Sequence, residues 1–318
     1  MCFPTCLKNE FQNKKVLIIA DLEGIIGLES LNDFSYNNQL LETELRMTIT
    51  VLRSYNFSDI YICNIHNNGM AYDKSLKLLA EVERASLVNL NELSSNLSFY
   101  SFAIMIGFHG MIGSGGKHDH NFRLDITQCK IKNEIMGEVG LFARYLENNG
   151  VRVLFISGEG NFIKEIENEL SDIMVHNVMY EKDVQEEFCE FQKKLNLCLS
   201  TIKKRKTINQ VSEVTIAVDN SDKYILLSRY PYGFKVEKGS FVFKSIDEFF
   251  ENLVSFCVAL QDASLIIRNI NLRFINQIKE SRKQALVPNE FVKIPMNLIT
   301  ESMRCSIAQK LGLNYEHI

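Results

Sequence analysis

Asp21 and Glu23 stand one residue apart at the end of the apolar run Val16 to Ala20. In an extended turn, side chains two positions apart point the same way, so these carboxylates can share a cation. His66 follows the apolar stretch Ile60 to Cys63, and His109 closes the run Ala103 to Phe108. Glu138 opens a stretch whose Val139, Phe142, Ala143 and Leu146 recur at helical spacing. Imidazole nitrogen and carboxylate oxygen are the atoms that zinc takes, and a catalytic zinc keeps one position for water. Two such ions about 3.5–4 Å apart can activate one water and polarise a scissile carbonyl. His118 and His120 lie beyond Gly110, Gly113, Gly115 and Gly116, in a loop whose backbone freedom suits a residue that meets substrate.

Each residue also has a plain structural role open to it. An acidic residue at a strand end commonly caps a helix or forms a turn, which covers Asp21 taken alone. Glu138 at a helix start complements the helix dipole, and a single histidine is most often a hydrogen-bonded surface group. The constellation weighs against coincidence. Carboxylates or histidines close three successive predicted strands and open a helix, all on the edge where α/β sites form.

The elements that position these residues alternate. Strands are expected at Val16 to Ala20, Ile60 to Cys63, Ala103 to Phe108 and Val151 to Ser157. Helical patterns separate them: Leu41, Leu45, Ile49 and Leu52 fall on one face, with further helices around Leu76 to Ala85 and after Gly137. This order predicts an α/β fold, a three-layer α/β/α sandwich with a mainly parallel sheet, plus a smaller elaborated C-terminal half. In the second half, Glu181 to Leu199 and Ser245 to Leu260 read as helices, Val214 to Val218 and Tyr224 to Leu227 as strands. The expected organisation is an N-terminal extension over 1–14, a catalytic domain over 15–263 with its metal site in 16–160, and a helical C-terminal extension over 264–318.

Composition excludes other classes. The chain has 318 residues, 46% hydrophobic and 23% charged, enough for a large core. No run approaches the roughly 18 apolar residues of a membrane span. The opening residues carry no apolar signal region, so a cytoplasmic home is expected, with no membrane partner. Eight scattered cysteines then read as thiols, most of them small core residues. A net charge of -4 argues against nucleic acid, and the run Lys203 to Lys206 reads as a solvated surface segment.

The strings Ala20-Asp21-Leu22-Glu23-Gly24-Ile25, Asn64-Ile65-His66, Gly107-Phe108-His109 and Gly137-Glu138-Val139-Gly140 resemble, in order and spacing, the motifs of the zinc D-aminopeptidases of the DppA type, the M55 metallopeptidase family. The resemblance runs from about Val16 to about Asp262 and is strongest up to Gly158. It implies two zinc ions per chain. Asp21 would bridge them, Glu23 and His66 would complete one, and His109 and Glu138 the other. The family's catalytic histidine falls on His120, with His118 the alternative if the loop is registered differently. The implied activity is an aminopeptidase that cuts small peptides, including D-residue peptides, near the amino terminus with a metal-activated water. The family also forms closed homo-oligomers. The chain departs from the family at Asn64, where an acidic residue is usual, through the loop Met111 to Asn121, and in the tail beyond Ser264. Two other readings stay open: a tailoring hydrolase acting on one dedicated peptide in a biosynthetic pathway, and a non-enzymatic oligomeric binding protein.

Overall fold

A computed structural model describes residues 11–66, 74–132, 134–166, 170, 172–202, 213–228 and 233–283. The lysine-rich run at 203–206, the segment Asn67-Asn68-Gly69, most of the expected N-terminal extension and the tail beyond 283 lie outside the described residues. The chain divides into two compact units, Met1–Asp219 with Ser240–Val254, and Asn220–Gly239 with Ser255–Ile318.

The first unit is built on a parallel sheet. Its strands are β1 (Lys15–Ala20), β2 (Asp59–Asn64), β3 (Ser86–Leu87), β4 (Phe102–Phe108), β7 (Arg152–Glu159) and β8 (Met174–Val178), in the order β3-β2-β1-β4-β7-β8. β1 is flanked by a parallel neighbour on each side, which is why it reads as an unbroken apolar run rather than an alternating one. Because the chain winds one way from β1 to β2 and the other way to β4, connections diverge beside the carboxyl ends of β1 and β4. That crevice is where open α/β sheets place their ligands.

Helices cover both faces. Helix α1 (Phe34–Ser54) starts where Asp33 accepts a hydrogen bond from the Tyr36 N–H at 3.1 Å. Its Leu41, Leu45, Ile49 and Leu52 are buried in one core with Val16, Ile18 and Ala20 of β1. Helix α2 (Lys74–Glu83) packs beside it. Helix α5 (Val184–Ser200), capped by Asp183, adds Phe188, Phe191, Leu195 and Leu199 to the same core. Leu17 and Ile19, the alternate residues of β1, are fully buried on the opposite face. Helices α3 (Leu90–Ser95) and α4 (Glu138–Asn148) complete the layers, α4 against β4 and β7. Truncating a core side chain such as Leu45 to alanine would cost about 2–5 kcal/mol.

An antiparallel sheet follows, built by β5 (Ile126–Ile131), β6 (Glu134–Ile135), β9 (Val214–Val218) and β11 (Ser240–Phe243), with β5 and β9 central. The second unit holds α6 (Ser221–Leu227), β10 (Val236–Glu237) and the later part of the long helix α7 (Ile246–Lys283).

Two expectations change. Tyr224 to Leu227, read as a strand, is helical, because the Asn220 side chain accepts from the Asp222 N–H at 2.8 Å and caps a helix there. A short apolar run does not reveal its period, and the cap decides it. Residues Ile246–Arg273 are also long and apolar enough to cross a membrane, where no such run was expected. Phe249, Phe250, Leu253, Phe256 and Leu260 of this helix are buried, while Leu265, Ile266 and Leu272 are exposed.

Candidate active site

The turn after β1 is tied to the end of β4 by its backbone. The Asp21 N–H donates to the Ile106 carbonyl at 2.9 Å and the Gly24 N–H to Gly107 at 2.8 Å. Position 24 must be glycine: a Cβ there would meet the Phe108 carbonyl oxygen at 1.6 Å. Asp21 and Glu23 are therefore drawn in beside His109, and both are buried. Behind the turn, the buried Glu44 of α1 accepts from the Ile26 N–H at 3.1 Å and from the Ser157 hydroxyl at 2.8 Å. The Tyr180 hydroxyl donates to the Glu23 carbonyl at 3.2 Å.

All of the residues singled out from the sequence meet here. His66 Nδ1 lies 3.0 Å from the Glu23 carboxylate and 3.8 Å from Asp21. Asn64, the departure from the family pattern, accepts the His66 backbone N–H at 3.1 Å and so turns the chain at that residue. His109 is 1% exposed, and its Nε2 stands 3.5 Å from both Asp21 and Glu138. Its Nδ1 lies 3.0 Å from the Gly110 carbonyl. A carbonyl only accepts, so Nδ1 carries a proton, and Nε2 can present a lone pair once a cation takes the place of its own proton. That buried Nε2 has no hydrogen-bond partner. The His120 ring stacks on His109, centroids 4.1 Å apart, and its Nδ1 is held by the His118 carbonyl at 2.9 Å.

Ligand atoms of Asp21, Glu23 and His109 lie within 4.8 Å of one another, and so do those of His109, His120 and Glu138. The two groups share His109. The loop histidine, read from the sequence as a catalytic residue, thus stands among atoms able to hold a cation. His118 also lines the cavity, with a buried Nε2 that has no hydrogen-bond partner. Burial holds its imidazole below the usual range.

The electrostatics of this cluster call for positive charge. Burial, reinforced by Glu23, pushes Asp21 well above the usual carboxylate range. Burial works in the same direction on Glu23, yet hydrogen bonds with His66 and Asp21 hold it below that range. At His109 burial is outweighed by Glu138, Asp21 and Glu23, which push the imidazole up to about 10. Three buried carboxylates against two histidines are costly unless a proton or a cation joins them. The orphaned His109 Nε2, with its other nitrogen fixed by a carbonyl, matches the usual arrangement of a metal-ligating histidine. The residues present therefore fit a metal.

Two further carboxylates escaped the sequence reading. Glu165 replaces the missing side-chain cap of α4, accepting from Gly137 at 2.8 Å and Gly140 at 3.2 Å, and it also accepts from Met111 at 3.2 Å. It thereby fixes Glu138 and the start of the glycine-rich loop together. Glu159 ends β7 and accepts from the N–H groups of Lys117 at 3.1 Å and His118 at 3.0 Å. Its place at a strand end between Gly158 and Gly160 was the available signal. Nothing in the pattern around Glu165 marks it.

A cavity of about 500 Å³ opens over the cluster, lined by the polar Asp21, Glu23, His66, His120 and Glu138 and by the apolar Leu31, Ile65, Phe142, Leu253 and Val254. Its size suits a small ligand.

The fold and the position of this cavity are those of an α/β protein with its site at a sheet switch point. The structure resembles the Zn-dependent D-aminopeptidase DppA from Bacillus subtilis, a self-compartmentalizing protease, at a TM-score of 0.62 and 17% identity over 78% of this chain and 98% of that one. No curated protein matches by sequence. The Peptidase_M55 family, described as D-aminopeptidase, matches residues 14–204, and the chain belongs to that peptidase family.

Proposed function

We propose that this peptidase is a zinc-dependent aminopeptidase that cleaves short peptides next to their amino terminus and accepts D-residues. The observation that carries the reading is the buried, unpartnered Nε2 of His109, standing where two groups of ligand atoms overlap. Asp21, Glu23 and His66 would hold one zinc, and His109 and Glu138 the other, with Asp21 shared. When bound, such a pair polarises the scissile carbonyl and acidifies the attacking water.

The chain's own residues do the rest. The Gly110 carbonyl fixes the His109 tautomer, and Glu165 fixes the helix start from which Glu138 projects. His120, with Nδ1 held by the His118 carbonyl, keeps Nε2 free to exchange a proton with substrate or leaving amine. The apolar residues of the cavity lining would exclude water around a small side chain.

The relative's self-compartmentalizing character supports self-assembly of this chain into a closed homo-oligomer, which light scattering on the purified protein would measure. The decisive experiment is metal analysis joined to a panel of L- and D-aminoacyl peptides. Zinc with release of the first residue is expected. Protein that holds no transition metal before or after reconstitution, and cuts no peptide, would overturn the reading.

A further inference from the structure

Apart from the carboxylate and histidine cluster, three charged side chains line the cavity: Lys117, Asp119 and Arg123. Asp119 is spent within its own loop, accepting from the Ser114 hydroxyl at 2.8 Å and the Gly115 N–H at 2.5 Å. The Lys117 ammonium donates to the Glu29 carbonyl at 2.6 Å and sits 5.1 Å from the Tyr180 ring. Arg123 differs. Asp125 takes Nε at 3.0 Å and Nη2 at 3.4 Å along one edge of its guanidinium, which fixes the plane of the group. The remaining nitrogen, Nη1, makes no hydrogen bond to a described residue.

The position is as specific as the chemistry. The Phe122 N–H donates to Glu138, so Arg123 is one residue removed from a carboxylate of the cluster. Successive Cα atoms are about 3.8 Å apart, and an extended peptide advances about 3.3–3.6 Å per residue. A group one or two residues past a bond held at the cluster therefore comes within reach of Arg123. A fixed guanidinium with a free donor edge matches a carboxylate better than any neutral group.

We propose that Arg123 is a specificity-determining residue that binds a carboxylate on the leaving side of the substrate, the C-terminal carboxylate of a di- or tripeptide. The inference rests on the peptidase reading above and narrows it to short peptides that end close to the cleaved bond. An acidic side chain at the same distance would offer the same chemistry.

The test compares di- and tripeptide free acids, their C-terminal amides, and amides carrying a glutamate after the cleaved bond, using the metal-loaded protein, Arg123→Gln and Arg123→Lys. The parental protein should favour acid over amide by about tenfold or more in kcat/KM, carried by KM, as expected for a charge-assisted contact. Arg123→Gln should bring that ratio close to one, and Arg123→Lys should keep part of it. A preference for the glutamate amide, lost in Arg123→Gln, would support the carboxylate site and assign it to a side chain. An acid-to-amide ratio that the substitution leaves intact, or an equal loss on both, would overturn the proposal. Calorimetric binding of the same acid and amide pair separates the two readings: with no turnover of any peptide the peptidase reading fails, while loss of acid binding in Arg123→Gln still supports the subsite.

Discussion

The imidazoles of His109 and His120 lie face to face, 4.1 Å between centroids with planes 8° apart. One ring comes from the end of a buried strand, the other from a loop rich in glycine. The sheet fixes the first against Asp21 and Glu138, while the second is held by one carbonyl and lines the cavity.

That difference predicts separable losses. His109→Ala should lose metal and activity together. His120→Ala should keep its zinc and lose roughly 10²–10⁴ in turnover, the usual range for a general acid or base. Zinc content and peptide hydrolysis measured on both variants decide it. Parental turnover by His120→Ala would move the assignment to His118, and loss of zinc in that variant would make His120 a ligand, as its distance from His109 and Glu138 allows.

Metal removal supplies the next expectation. The protein should bind about two zinc ions per chain, as a paired hydrolytic site requires. Asp21→Ala should release both and Glu138→Ala chiefly one. Each ion held at 100 times its Kd adds about 2.7 kcal/mol to folding, so chelation should lower the thermal midpoint and zinc should restore it. A midpoint indifferent to chelator and to added zinc would contradict the site.

Glu44, which is not among the proposed ligands, sets a pH dependence of its own. Its burial pushes the carboxyl up to about 7, although Ser157 and Ile26 donate to it. Between about pH 4.5 and 7 the folded chain then binds a proton that the unfolded chain lacks. This contribution is fully present below pH 4.5 and is lost as pH rises through 7, a change of about 3 kcal/mol at most. Glu44→Gln keeps a carbonyl for Ile26 and an amide for Ser157. The variant should gain on the parent in thermal midpoint between pH 5 and pH 8. A constant difference between the two proteins across that range would mean that Glu44 is ionised throughout.

The sequence made the candidate ligands visible because strand ends are fixed by the burial of the strands. β1 and β4 are continuous apolar runs, so the polar residue that ends each one had to fall on the sheet edge. β5 was not visible: polar residues interleave its sequence ITQCKI, and the burial alternation breaks at Thr127 and Gln128, where the register against β9 shifts. Glu44 was legible in principle. It follows Leu41 by three and precedes Thr48 by four, on the face where Leu45 and Ile49 are buried, yet a charged residue there reads as helix surface until its partners are known. Glu165 carries no pattern at all, since the N–H groups it accepts from lie 25 to 54 residues away in the chain.

Glu159 offers the sharpest test of how the loop is held. One carboxylate oxygen accepts from Lys117 N–H and the other from His118 N–H, and the side chain is 4% exposed. No cation pairs with it in any ion pair among the described residues, so its hold on the loop rests on those two donors. Glu159→Gln keeps the size of the side chain but turns one acceptor into an NH₂ group that must face a backbone N–H. One hydrogen bond is lost and a donor is left against a donor, a cost of about 1–3 kcal/mol placed within two residues of His120. Turnover should fall about tenfold or more while zinc content stays at the parental level, because none of the proposed ligands lies on the affected loop. Glu159→Asp, which keeps both acceptors on a shorter stem, should recover part of the rate. Full turnover by Glu159→Gln would show that the loop finds its catalytic position without this carboxylate, and loss of zinc from it would show that the loop and the ligands are held as one unit.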